Sequence, residues 1–230
     1  MDELHAETIA VPPFDPTYLA KGHALHLRCK APGVENIRVD VMAKMRGVAG
    51  FEELWARRTT LFVKEAQMAS SGPPAPMVDA AATRRGVAPS RASSSDVQVV
   101  QVDMVSLEDL VQTKKTQRDK DWPMIRRLLE RSYFGRPPSP GPKLVAFWLR
   151  ELRTPELLSA VAEDYPEAAA SIAESRPAVT AAMRAGVKEV DACLAAEEAE
   201  ERERDRIYWE PLKRELEALR RAKHSTSDTP

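Results

Sequence analysis

Cysteine is scarce in this chain: only Cys29 and Cys193 occur in 230 residues. They lie far apart with no CxxC or Cys/His spacing, which argues against structural zinc and against a disulfide scaffold. No run of 18 apolar residues exists, and the opening MDELHAETIAVPPFDP lacks the basic-then-apolar order of a leader. Membrane spanning and export are therefore not expected, and a reducing, cytoplasmic setting fits. There is no GxxxxGK[ST], no GxGxxG and no Ser or Cys elbow, so P-loop, dinucleotide-binding and hydrolase readings lack support. No fixed-period repeat is visible. Nor does one sign of charge dominate: 34 Lys and Arg face 35 Asp and Glu, a net charge of −1. A globally basic nucleic-acid binder is excluded, and any anion site must be local.

What is present is a chain with 43% hydrophobic and 30% charged residues, enough to bury a core in one ordinary domain plus an appendage. HALHLRC (23–29) and NIRVDVM (36–42) alternate like strands around the turn-rich KAPGVE and predict an antiparallel hairpin. One face of the first strand carries Ala24, His26 and Arg28, and the other Leu25, Leu27 and Cys29. In the second strand Ile37, Val39 and Val41 point to the core, and Arg38, Asp40 and Met42 away from it. FEELWARR (51–58) predicts a short helix, TTLFV (59–63) a strand and VQVVQVDMV (97–105) another. Between the last two, residues 66–96 turn to Ala, Ser, Pro and Gly without periodicity and predict a flexible insertion.

Ser106, with Asp109 three residues on, predicts the capped start of a helix over 107–116. Asp119 or Asp121 is placed to cap the next, because Pro123 is tolerated in a first turn. That helix shows Ile125, Leu128, Leu129 and Tyr133 on one face. GRPPSPGP (135–142) is a break, beyond which the chain reads as helical: KLVAFWLREL, then TPELLSAVAEDY with Thr154 as cap and Pro155 at the first position, then a long Ala/Glu/Arg-rich segment. There EEAEERERDR (197–206) predicts a solvated face with i, i+4 pairs, followed by an apolar seam of Trp209, Leu212, Leu216 and Leu219.

Chemistry concentrates between residues 114 and 127, where Lys114, Lys115, Arg118, Lys120, Arg126 and Arg127 face only Asp119 and Asp121. Several cations beside a helix N-terminus suit polyphosphate, Lys as a point charge and Arg as a fork. The alternative is that they are solvated or pair with Asp119, Asp121 and Glu108. Asp40, in the triplet Val39-Asp40-Val41, puts a carboxylate on a strand, the usual anchorage of a Mg²⁺ site. A two-metal centre needs further acids, and the only D-x-D, Asp119-Lys120-Asp121, lies before a helix where capping is its natural role. Asp103 repeats the Val-Asp-Met pattern on a strand that turns it toward solvent. His23 and His26, three apart on a strand, fall on opposite faces and make a poor metal pair. Trp122, Trp148 and Trp209 read as core or interface residues.

HALHLRC, IRVDVMAKMRGVAGFEELWARR and VDMVSLEDLVQTKKTQRDKDWPMIRRLLE, in that order, resemble the second half of a nucleotidyltransferase-like domain of the polymerase-beta superfamily, near the AbiEii-like and minimal nucleotidyltransferases. The resemblance spans residues 20–135 with the insertion removed. It implies an α+β fold: a partial mixed sheet flanked by helices over 1–136, with a helical C-terminal region over 137–230. It also implies Mg²⁺-dependent nucleotidyl transfer from an NTP, with Asp40 as a metal-side carboxylate and Lys114, Lys115, Arg118, Lys120 and Asp121 near the triphosphate. The family's G-[GS] turn and D-x-D strand are missing from the 22 residues before HALHLRC. The expectation is thus a truncated or degenerate member with weak or no transfer activity. The rival expectation is a non-catalytic module that keeps the fold to bind RNA or a protein partner through the charged C-terminal helix and its Leu seam.

Overall fold

The computed structural model describes residues 5–9, 11–64 and 99–227; the expected insertion at 66–96 lies outside the described residues. The chain divides into a larger unit, Met1–Arg57 with Val105–Pro230, and a smaller one, Arg58–Met104.

In the larger unit the first elements are β1 (Glu7–Thr8), α1 (Pro16–Lys21), β2 (Leu25–Arg28), β3 (Arg38–Val41) and α2 (Phe51–Ala56). The strands form one antiparallel sheet in the order β1-β2-β3. Register sets Leu25 opposite Val41, His26 opposite Asp40 and Leu27 opposite Val39. The alternation predicted for β2 holds: Leu25, Leu27 and Cys29 are buried while Arg28 is exposed. On β3 the expectation fails in part. Val39 and Val41 are only half-buried and Ile37 is 51% exposed, because this edge strand has β2 on one side and no third layer covering Ile37.

The smaller unit is a two-stranded antiparallel ribbon of β4 (Thr59–Lys64) and β5 (Val99–Met104), with Thr60 opposite Asp103. Asp103 is half-buried and accepts from Thr60 Oγ1 at 2.6 Å and pairs with Arg58 Nε at 3.1 Å. The two sheets are small and wholly antiparallel among the described residues, where one mixed sheet was expected; the α+β class holds at the coarse level.

Helices make up the rest of the larger unit: α3 (Leu107–Lys114), α4 (Asp121–Phe134), α5 (Pro142–Glu151), α6 (Pro155–Asp164), α7 (Pro166–Ala173), α8 (Pro177–Arg184) and α9 (Val187–Ser227). Four of them, α5 to α8, open on proline, whose missing N–H is an orphan at a first turn anyway. The same prolines explain why the Ala/Glu/Arg-rich stretch is several helices and not one. The residue before Pro is pushed out of the α region, and Tyr165 (φ −132°, ψ 63°) and Arg176 (φ −136°, ψ 100°) take such conformations. The core is built from these helices, with Ile125, Leu129, Trp148, Leu149, Leu158 and Val190 essentially sealed from water. Tyr133 meets the Trp148 ring edge-on at 5.5 Å, a geometry the ring quadrupoles favour.

The three predicted caps differ in outcome. Ser106 does cap α3, accepting from the Asp109 N–H at 3.2 Å. At α4 the N-cap position is Lys120, without a side-chain cap bond. Thr154, at the cap of α6, donates its hydroxyl to Glu130 at 2.6 Å instead.

Candidate anion-binding cleft

The loop after α3 is held by Asp121, 2% exposed, which is the first residue of α4 and no cap. Its carboxylate accepts from Thr116 Oγ1 at 2.6 Å and Arg118 Nε at 2.8 Å, and Lys114 Nζ lies 3.8 Å away. Trp122 donates its indole N–H to the Thr116 carbonyl at 2.8 Å. A polar loop thus gains a fixed shape from a buried carboxylate that accepts from Thr116 and Arg118 and sits near the Lys114 charge, all in its own sequence neighbourhood.

From the other side comes α9. Asp205, 2% exposed, accepts from the Gln117 N–H at 2.9 Å, Arg46 Nε at 3.1 Å and Trp209 Nε1 at 3.0 Å. Arg46 also donates to Glu201 at 3.1 Å and to the Lys115 carbonyl. The stretch expected to be a solvated face is therefore only partly so. Arg204 and Arg206 make local pairs with Glu200, Glu201 and Glu203, whereas Asp205 and Glu201 turn inward to bind Arg46. The apolar seam of α9 turns the same way, with Trp209, Leu212, Leu216 and Leu219 half-buried. Gly22 packs beside this helix, and its φ of +103° is a conformation that L side chains rarely adopt. Glu215 then pairs with Lys21 and, at 2.8 Å, with His23 Nε2.

These elements enclose a cavity of about 470 Å³. Its cationic wall is Arg46, Lys114, Lys115, Arg118 and Lys213, against the single carboxylate of Asp205. His23 and His26 line it too, so the fold brings together two histidines that strand alternation separates; His23 lies just before β2 and escapes the alternation. The apolar wall is Met42, Met45, Trp209, Leu212 and Leu216.

The sequence-derived candidates fall into three groups. Lys114, Lys115 and Arg118 reach the cavity, although Lys115 is also bound at 2.8 Å to Glu151 of α5 in a nearly buried pair. Asp121 acts as counter-ion to the loop. Lys120 is exposed and does not line the cavity. Asp40 stands one residue back from it: its Oδ1 is 2.8 Å from Nδ1 of the cavity-lining His26 and 2.7 Å from Arg38 Nε. Arg38 also lies 2.9 Å from the same His26 nitrogen, so that nitrogen can donate to Asp40 or accept from Arg38, not both at once. The Arg38 hydrogen bond, aided by His26, holds the Asp40 carboxyl below its usual range against the opposing effect of burial.

A Mg²⁺ site of the kind the resemblance implies needs several converging carboxylates. Among the described residues no group of three or more His, Cys, Asp or Glu is arranged to hold a metal ion, and the nearest charge to Asp40 is a guanidinium. The residues do not fit that ion. The cavity has a cationic wall facing an apolar one. Arg46, Asp205 and Lys213 went unrecognised in the sequence because no local pattern marks them: Arg46 meets Glu201 and Asp205 across 155 and 159 residues.

No helix among the described residues is long and apolar enough to cross a membrane. Compared with protein families, curated proteins and solved structures, the chain gives no match.

Proposed function

We propose that this cleft binds a nucleoside triphosphate, as the binding half of a nucleotidyltransferase-like module with weak or no transfer activity. One observation carries the reading: five cations from three separate stretches of chain share a cavity with one carboxylate, and that carboxylate is spent on three donors. A volume near 470 Å³ lies in the range of small-ligand sites. Phosphates would lie along Lys114, Arg118, Arg46 and Lys213, and the base against Met42, Trp209, Leu212 and Leu216. Transfer is expected to be feeble because, among the described residues, Asp40 belongs to no carboxylate group arranged to gather metal ions.

Titration calorimetry with ATP and CTP, in the presence of Mg²⁺, tests the reading. Lys115→Ala would leave Glu151 buried without its ion pair, so Lys114→Ala with Lys213→Ala is the better variant: Lys114 is loosely paired and Lys213 bonds only an exposed Gln117 oxygen. Removing two phosphate contacts is expected to weaken binding by about tenfold or more. If neither nucleotide binds saturably while the chain forms a stable complex with RNA or a protein partner, the non-catalytic interaction reading replaces this one.

A further inference from the structure

A second cavity, of about 400 Å³, shares no wall residue with the first. It is walled by Asp119 and the first three turns of α4, by Arg153 between α5 and α6, and by Glu198 and Arg202 of α9. Four arginines line it: Arg126, Arg127, Arg153 and Arg202. The carboxylates there are already engaged. Asp119 and Glu198 both accept from Arg202, and Glu130 accepts from Thr154. Arg126 and Arg127 are exposed on α4 and form no ion pair among the described residues.

Arg153 is the unusual member. It is 7% exposed, yet its Nε has no hydrogen-bond partner among the described residues. Its NH1 shares Glu197 Oε2 with Arg176, each at 3.0 Å, so one carboxylate serves two buried guanidinium groups. Burial first, and Arg176 next, push the Arg153 pKa down. Glu151 and Glu201 also act on this charge from nearby, but a buried cation with an unused donor, sharing its one bonded carboxylate with a second arginine, remains costly. Trp122 completes the wall, its ring centroid 5.4 Å from the Arg153 guanidinium carbon and 5.6 Å from that of Arg202.

We propose that this cavity is a binding site for a small phosphate monoester, gripped by Arg126, Arg127 and Arg153. A dianionic tetrahedral group offers three oxygens to three forked donors, which a carboxylate cannot match. The small volume favours a metabolite-sized ligand over a polymer. This inference is independent of the nucleotide reading, because the two cavities use different cations.

The full-length chain, titrated with inorganic phosphate and with glycerol 3-phosphate, and with acetate as the carboxylate control, provides the test. Saturable phosphate binding is expected at about millimolar concentration or below. R126Q with R127Q, both exposed and tolerable for folding, should weaken it about tenfold or more. K114A with K213A should leave it unchanged. Absence of saturable binding, or equal binding by the R126Q/R127Q chain, overturns the proposal. So does loss in the K114A/K213A chain, which would assign phosphate to the first cavity and leave the nucleotide reading standing. Acetate bound as well as phosphate, or a single-stranded RNA oligonucleotide taken in preference to either phosphate probe, also counts against a monoester site.

Discussion

Asp109 shows what one carboxylate does for this chain. It is 5% exposed and accepts from both Nε and NH2 of Arg57, at 2.6 and 2.8 Å, and from Ser106 Oγ at 2.6 Å. The fork from Arg57 leads the causes that hold its pKa below the ordinary 3.8, with burial opposing and Ser106 assisting. A carboxyl depressed in the folded state stabilises the fold at neutral pH, and that contribution fades as pH falls below 3.8 toward the folded value. Asp109→Asn should therefore cost about 1.5–3 kcal/mol at pH 7 and show a shallower loss of stability on acidification than the parent. Urea unfolding of both chains from pH 7 to pH 3 measures this; parallel curves would mean that Arg57 contributes nothing through this carboxylate. The sequence signalled Asp109 as part of a capping box, but nothing near it announced Arg57, 52 positions earlier.

Among the elements, α9 has the most consequence because its inward face closes the cleft. Asp205 alone joins Arg46, the loop at Gln117 and its own Trp209. Asp205→Ala would leave a part-buried guanidinium, a backbone N–H and an indole N–H short of their acceptor. The expected cost is about 3–5 kcal/mol, read by chemical denaturation. A loss under 1 kcal/mol would mean that water replaces the carboxylate. Predicting a solvated face here was reasonable for EEAEERERDR, because local i, i+4 pairing looks the same whether or not one residue in four has a distant partner. The helices α7 and α8 teach the complementary lesson: one long helical segment was expected where Pro166 and Pro177 divide it, and the local signal was there to use, since a proline disfavours helical backbone in the residue before it.

For the whole molecule, a near-neutral chain gathers five cations on one cavity wall, their paired carboxylates apart from Asp205 lying behind it, and the consequence is salt sensitivity. Nucleotide binding to the first cleft should weaken steadily from low to high NaCl, because the exposed members of the wall are screened while the buried Lys115–Glu151 pair is not. Calorimetry at two ionic strengths checks it. Affinity independent of salt would show that the apolar wall of Met42, Trp209 and Leu212 carries the binding.

What the residues alone decided was local: the β2-β3 alternation, the Ser106 cap, the apolar face of α4 and the proline-marked helix starts. These follow from sterics and hydrogen bonds within a few positions. Which carboxylate met which cation was settled only by tertiary structure. Lys114, Lys115 and Arg118 stood out as a cluster, and Asp121, the partner of Arg118, lies only three residues on, but the pairing of Lys115 with Glu151 and the arrival of Arg46, Lys213 and Asp205 depend on elements distant in sequence packing together. Charge pairing acts over a few ångströms in space and is indifferent to distance along the chain.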